Sequence, residues 1–212
     1  MPEFLDIIID KNLLCIKNIL TPSNQVPLFN GGTEHNLEQF NKFLNALDYK
    51  SKDKKNIIGG IHTFAIKNSA IFFDVGEPPK KGFSKSYQSG PLSFEYYLDG
   101  EKIITNCGFG SNISSKAELL SRLTSAQSTL TLDDTSVTKF ERNKLINRIF
   151  GNSIKNTFKI NNLDLAENKD QIKFTASHNG YEKKFGSIHK RELTIDKLNG
   201  KLTGWDEIIK KK

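Results

Sequence analysis

Four histidines, His35, His62, His178 and His189, are the side chains of this sequence whose ordinary pKa allows proton transfer near neutral pH. His178 and His189 lie on two stretches of strand composition joined by Asn179-Gly180-Tyr181 and a basic connection. The two imidazoles could therefore approach each other across neighbouring strands, although each taken alone reads as a packed or surface imidazole. A second polar set, Asp74, Tyr87, Gln88, Glu95, Asn106 and Gln127, falls at strand ends beside small residues that let a ligand approach the backbone. The competing reading gives each of these a turn or cross-strand hydrogen bond. Pattern alone thus reaches a β-rich domain with a polar groove. Gly-x-Ser-x-Gly, a glycine-rich phosphate cradle, His-Glu-x-x-His and Cys-x-x-Cys are all absent from the sequence, which removes the common hydrolase, nucleotide and zinc signatures. The two cysteines, Cys15 and Cys107, have no metal-ligand spacing and read as semi-buried thiols.

The elements that must position these residues change character along the chain. Phe4, Leu5, Ile8, Ile9, Leu13, Ile16, Ile19 and Leu20 recur at helical spacing, so residues 2–20 form a helix with a wide apolar face that must pack on something. Thr21-Pro22 ends it. After a loop carrying Gly31-Gly32, a second helix is expected over 33–47, with Thr33 as N-cap and Leu37, Phe40, Phe43, Leu44 and Leu47 facing inward. Residues 49–56 are polar and lysine-rich, as an exposed linker would be.

Beyond the linker the apolar period drops from 3.6 to 2. Strands are expected at 61–66, 70–73, 92–98, 102–107, 128–132, 157–160, 171–177, 188–195 and 201–205. The hairpin around Asp99-Gly100 is the best marked, because both turn positions tolerate positive φ. Asn161-Asn162, Asn179-Gly180 and Asn199-Gly200 read as further turns. Residues 114–123 read as a short helix, and 136–156 mix helical spacing with Gly and Asn. About nine short strands with few helices indicate a mainly β fold, an antiparallel sandwich and not a parallel α/β sheet. The organisation expected is therefore a helical segment at 1–48, a linker at 49–56 and a β-sandwich domain at 57–212.

The formal net charge of +7 and a pI of about 9.2 fit a polyanionic partner. The lysines are spread thinly, however, and no basic stripe interleaved with aromatics resembles a nucleic-acid module, so nucleic acid is not the expected partner. No apolar run reaches the length that spans a bilayer, and the N-terminus has no signal-peptide pattern. The compartment stays open.

Six segments in order carry a family resemblance: FNGG (Phe29–Gly32), FFDVGEPP (Phe72–Pro79), SGPLSFEYYLDGEKIITNCG (Ser89–Gly108), LTSAQSTLTL (Leu123–Leu132), SHNGYEKKFGSIHKREL (Ser177–Leu193) and LTGWDEI (Leu202–Ile208). Together they resemble the C-terminal region of the heparinase II/III-like polysaccharide lyases. The resemblance implies an antiparallel β-sandwich of that type, preceded by two helices from the end of an α/α toroid. It implies an incomplete chain, with most of the toroid upstream and further strands downstream. It also implies an acidic, uronate-containing polysaccharide as partner, cleaved by β-elimination, and a cell envelope or periplasmic setting. The isolated chain is expected to be inactive, because the toroid supplies the other wall of the cleft. A non-catalytic glycan-binding or polyanion-binding module is the alternative.

Departures from the family pattern fall on the polar set. Gln88, in Ser86-Tyr87-Gln88, stands where relatives carry His; Gln127 replaces the His of an Ala-His-Ser/Asn-Thr motif; Asn106 stands where metal-binding relatives carry Asp. Amides supply neither imidazole nitrogen nor carboxylate oxygen, so no zinc and no other cofactor is expected, and a hydrogen-bonding network stands in its place. Tyr87 becomes a candidate general acid/base. His178 and His189, which match the family's His-x-Gly-Tyr and His-x-Arg segments, are candidate catalytic residues beside a structural reading. Gln88, Glu95, Asn106, Gln127 and Arg191 are the candidate substrate-binding residues.

Overall fold

The computed structural model describes residues 3–35, 37–48 and 57–211. Two helices come first, α1 (Glu3–Asn18) and α2 (Glu38–Ala46). Nine strands follow: β1 (Ile57–Ile58), β2 (Ile61–Ile66), β3 (Ser69–Asp74), β4 (Phe94–Leu98) and β5 (Glu101–Ile104), then β6 (Ile160–Glu167), β7 (Gln171–His178), β8 (Ser187–Asp196) and β9 (Leu202–Lys210). Short helices α3 (Ser115–Ser121) and α4 (Lys144–Phe150) lie in the long connection between β5 and β6, and α5 (Glu182–Phe185) joins β7 to β8. All pairings are antiparallel, in two sheets of order β1-β2-β3-β4-β5 and β6-β7-β8-β9. The expected β-sandwich is the observed fold.

The sheets face each other across one core. Phe64, Ile71, Phe73, Phe94 and Tyr96 from the first meet Ile172, Phe174, Ala176, Leu193 and Ile195 from the second, with Phe174 edge-on to both Phe64 and Phe73. Strand β3 is buried along its whole length because its other face is covered too: Ala70 and Phe72 pack with Phe29 and Tyr97. That explains why its sequence, SAIFFD, reads as a continuous apolar run and does not alternate. A third cluster, including Tyr87, Val137, Phe140, Ile154, Phe158 and Tyr181, fills the space beneath the β5–β6 connection.

The Asp99-Gly100 hairpin forms as expected, with φ of +51° and +85° and Leu98 paired to Glu101. Ser114 caps α3 by accepting the Ala117 N–H. Several expectations change. The second helix begins at Glu38 and not at 33, and Thr33 does not cap it. The residue at the cap position is Leu37, which has no side-chain bond to offer. Residues ahead of it are held elsewhere, Thr33 on His35 and Glu34 on Lys102 at 2.8 Å. Helix α1 has no fully buried residue: the apolar side chains of its first half, Phe4 and Ile8 included, are exposed, and Leu13, Leu14 and Ile16 of its second half are only half-buried. Residues 128–132 make no strand: the Ser128 hydroxyl accepts from the Phe94 N–H and donates to the Phe94 carbonyl, replacing a ladder partner with a side chain. Asn161-Asn162 is a bulge inside β6, not a turn. Asn162 takes φ of +52° and the register shifts between Asn161 and Asp164 before pairing resumes. Cys107 is exposed, not semi-buried. The expected linker at 49–56 lies outside the described residues.

Candidate functional site

All eight candidate residues fall inside the fold. Tyr87, Gln88, Glu95, Asn106, Gln127, His178, His189 and Arg191 are each buried, the most accessible being Gln127 at 8%. The polar groove expected at the strand ends is thus an interior feature. Its side chains point inward because strand ends at the sandwich margin must satisfy many free backbone groups. They divide into two networks.

The first surrounds the three amides. Gln88 accepts the Gly31 N–H (3.0 Å) and donates to the carbonyls of Gly108 and Ser121 (both 2.9 Å). Gln127 donates to the same Ser121 carbonyl at 2.7 Å. Asn106 accepts the Ser128 N–H at 3.0 Å, while its own amide nitrogen is buried without a partner. Beside them the fully buried Glu95 carboxylate accepts four hydrogen bonds, from the N–H groups of Leu28 and Asn106, the Thr105 hydroxyl and the Tyr97 hydroxyl. Burial, with the Glu95 charge added, raises the Tyr97 phenol far above its ordinary pKa.

Much of this network receives one loop. Leu28 docks on Glu95 and Gly31 on Gln88; Asn30 accepts the Gln88 N–H and reaches Asp74 at 3.4 Å. Gly31 has φ of +99°, and a Cβ there would come within 2.8 Å of Ser86, so the residue must be glycine for the loop to seat. Asp74, buried at the end of β3, has its carboxyl pushed up to about 7 by burial, against the opposing pull of the Gly76 N–H and Asn30.

The second network is a chain of side chains spanning β7, β8 and β9. Its proton positions follow from one contact: Gly180 N–H donates to His178 Nδ1 (3.1 Å), so the neutral His178 carries its proton on Nε2. Nε2 then donates to His189 Nδ1 (3.0 Å), and His189 Nε2 donates to Asp206 Oδ1 (2.7 Å). Arg191 closes the chain with Nε and Nη2 on the two Asp206 oxygens, at 2.7 and 2.8 Å. Its Nη1 donates to the carbonyls of Leu92 and Ser128, both at 2.7 Å, so it ties the second sheet to the first. Burial first, then the nearby His189 and Arg191, push His178 down to about 3. Desolvation raises the Asp206 carboxyl, but hydrogen bonds from His189 and Arg191 outweigh it and hold it well below the carboxylate range. The networks meet at Ser128, whose N–H serves Asn106 and whose carbonyl serves Arg191.

The expected approach of His178 and His189 is therefore observed; they are direct cross-strand partners. Tyr87 lies apart from both, in the third apolar cluster. Burial, with the Asp74 charge added, raises its phenol well above 10, and a phenol so placed keeps its proton. Two charged residues escaped sequence reasoning. Asp206 is legible only once the β8–β9 register is known. Arg122 is fully buried, with three backbone carbonyls (Ser84, Tyr87, Asn152) and the Phe140 ring at 4.1 Å as its partners, and no sequence signal marks it.

The amide positions offer little to the zinc of metal-binding relatives. Gln88 has its oxygen and nitrogen engaged by backbone, Gln127 presents its nitrogen to a carbonyl, and Asn106 uses its oxygen on Ser128. Among the described residues no three His, Cys, Asp or Glu side chains are grouped to hold a metal. These residues do not fit a zinc ion.

Comparison with known proteins agrees with this architecture. The family described as heparinase II/III-like, C-terminal, matches residues 56–212. The crystal structure of a mutant of heparan sulfate lyase HepC from Pedobacter heparinus superposes with a TM-score of 0.69 at 17% identity, covering 99% of this chain and 34% of that one. HepC itself gives 0.67 at 18% identity over 99% and 33%, and the heparinase III BT4657 gene product 0.67 at 15% identity over 98% and 33%. At these identities the likeness concerns the fold, and the chain spans about a third of the length of these structures. No curated protein matches the sequence.

Proposed function

Because the chain belongs to the heparinase II/III-like C-terminal family, we propose that it serves as the β-domain of a polysaccharide lyase that cleaves acidic, uronate-containing glycans by β-elimination. In that reaction a base takes the proton α to the uronate carboxylate and an acid protonates the departing glycosidic oxygen. The neighbours in fold are named as lyases of heparan sulfate and as heparinases, which makes heparan sulfate the first glycan to test. The 212 residues alone do not turn substrate over. The observation that carries this reading is the burial of every candidate proton-transfer group: His178 and His189 are fully enclosed and spend their nitrogens on each other, on Gly180 and on Asp206. The chain's part in catalysis is then to build and hold one wall of the cleft.

The amide network works without zinc in this reading, since Gln88, Asn106 and Gln127 perform by hydrogen bonding the tying together that a metal ion performs elsewhere. A non-catalytic glycan-binding module is the second reading. It is favoured by one observation, that amides incapable of proton transfer near neutral pH stand where histidines are expected.

The deciding experiment incubates a longer protein containing this domain, and separately the 212-residue chain, with heparan sulfate, heparin and hyaluronan while following unsaturated uronate absorbance. Turnover by the longer protein alone is expected. Turnover by the chain itself overturns the division of labour; glycan binding without turnover by either protein moves the conclusion to the binding module.

A further inference from the structure

A cleft of about 890 Å³ opens on the flank of the domain, between α3, the 134–142 segment and α4, and contains none of the eight candidate residues. Its volume is in the range of small-ligand sites. The wall is apolar: Leu119 and Leu120 of α3 are 44% and 50% exposed, with Leu123 and Phe140 beneath. Lys139, Arg142 and Lys155 stand on the rim. Of the two acids there, Glu141 is already engaged, accepting the N–H groups of Arg142 and Asn143 and pairing with Lys155 at 3.4 Å, which leaves Asp134. Among the described residues neither Lys139 nor Arg142 has an acidic partner. On the α4 side, Asn147 spends its amide nitrogen on the Glu141 carbonyl and has a shielded oxygen with no partner.

A ligand for this cleft must combine an apolar face with a negative charge. A pyranose ring bearing a carboxylate or sulfate has both. A nucleotide base would need an exposed aromatic to stack on, and Phe140 is 8% exposed and already covered by the Arg122 guanidinium. We propose that this cleft binds one acidic sugar unit of a glycan chain, with its ring against Leu119 and Leu120 and its anionic group on Lys139 and Arg142. The choice of a glycan rests on the function proposed above; the location and the charge preference rest on the cleft.

The test titrates the 212-residue chain with a hexasaccharide of alternating glucuronate and N-acetylglucosamine, and with a neutral N-acetylglucosamine hexasaccharide as control. Amide NMR shifts locate binding, and calorimetry measures it for the parent and for the Lys139→Ala/Arg142→Ala variant. Both substituted residues are exposed, so the variant should melt with the parent. Shifts concentrated at residues 119–123 and 138–142, weakening of the acidic ligand by about tenfold or more in the variant, equivalent to about 1.4 kcal/mol, and little binding of the neutral control are expected. Equal affinity in the variant, or shifts elsewhere, overturns the cleft assignment while leaving the lyase reading standing. Absence of binding overturns the assignment as well, and the turnover assay on the longer protein then decides the reading separately.

Discussion

The two buried networks solve the same problem with opposite chemistry. Around Gln88, Gln127 and Asn106 the side chains are neutral amides whose partners are mostly backbone groups, so the arrangement depends on the path of the chain and little on charge. Along His178, His189, Asp206 and Arg191 the partners are mostly side chains, and an ionised pair terminates the run. One network seats a loop arriving from outside the β-sheets; the other fastens one sheet to its neighbour. Amides tolerate changes in pH and salt but require an intact backbone frame. The ionic chain, linked mostly side chain to side chain, depends less on that frame and answers to protonation.

The largest effect that separates them is expected at Arg191. Arg191→Met leaves Asp206 against His189 without its main counter-charge and strands the Leu92 and Ser128 carbonyls. A loss of about 3–5 kcal/mol is expected in urea denaturation. Arg191→Lys should recover little of it, because an ammonium cannot make the bidentate contact; full recovery with Lys would show that charge alone matters there.

Protonation sharpens the contrast next. His178 has a folded pKa lowered from 6.5 to about 3, so its contribution is present above pH 6.5 and is lost as pH falls toward 3. Asp74, beside the amides, has a folded pKa raised from 3.8 to about 7, so its contribution is present below pH 3.8 and is lost as pH rises to 7. The two slopes oppose each other between about pH 4 and 6.5. Asp74→Asn mimics the protonated acid at every pH. It should gain on the parent by up to about 4 kcal/mol at pH 7.5, since each pH unit between the unfolded and folded pKa values adds roughly 1.36 kcal/mol, and match it near pH 4. Stability curves that run parallel for the two proteins would remove Asp74 as the source.

A smaller loss, about 2–3 kcal/mol, is expected for Gln88→Leu, which unpairs the Gly31 N–H and frees two carbonyls that have other partners or room to shift. Because the amide network holds the 28–32 loop, the same variant should raise amide exchange at residues 28–32 while leaving β7–β9 protected. Uniform exchange across the domain would merge the two networks into one. The smallest effect, within about 0.5 kcal/mol, belongs to Gly82→Ala at an exposed glycine whose added Cβ meets nothing.

Legibility in the sequence followed the same division. Strands β2 to β5, β7 and β8 and the tight Asp99-Gly100 hairpin were readable because period and turn chemistry are local; β6 was not, since the expected strand stopped at 160 where Asn161-Asn162 reads as a turn. Two Asx-Gly pairs behaved differently. Asp99-Gly100 is a two-residue turn, whereas Asn199-Gly200 closes a four-residue loop, with Asp196 Oδ1 holding the N–H groups of Leu198 and Asn199. A two-residue turn at Asn199-Gly200 would place Ile208 opposite Arg191; the longer loop places Asp206 there. That shift is why the acid of the ionic chain was not legible. The burial of Gln88 and Glu95 was hidden for another reason: their partners, Leu28 and Gly31, lie far away in sequence and contribute backbone N–H groups, which carry no residue signature. Ser128 misled in the same way, its hydroxyl acting as a ladder partner while its sequence read as strand.

The docking of residues 28–32 also separates two kinds of boundary that are often drawn as one. The family match starts at residue 56, yet Glu95 draws one of its four donors, and the Gln88 side-chain oxygen its Gly31 donor, from the segment before it. The family match and the set of contacts that completes these buried groups therefore start at different places. A chain cut at residue 57 would keep the whole sandwich and yet carry an underfilled carboxylate and an empty amide socket at its surface, while one cut ahead of Thr21 would take its own plug with it.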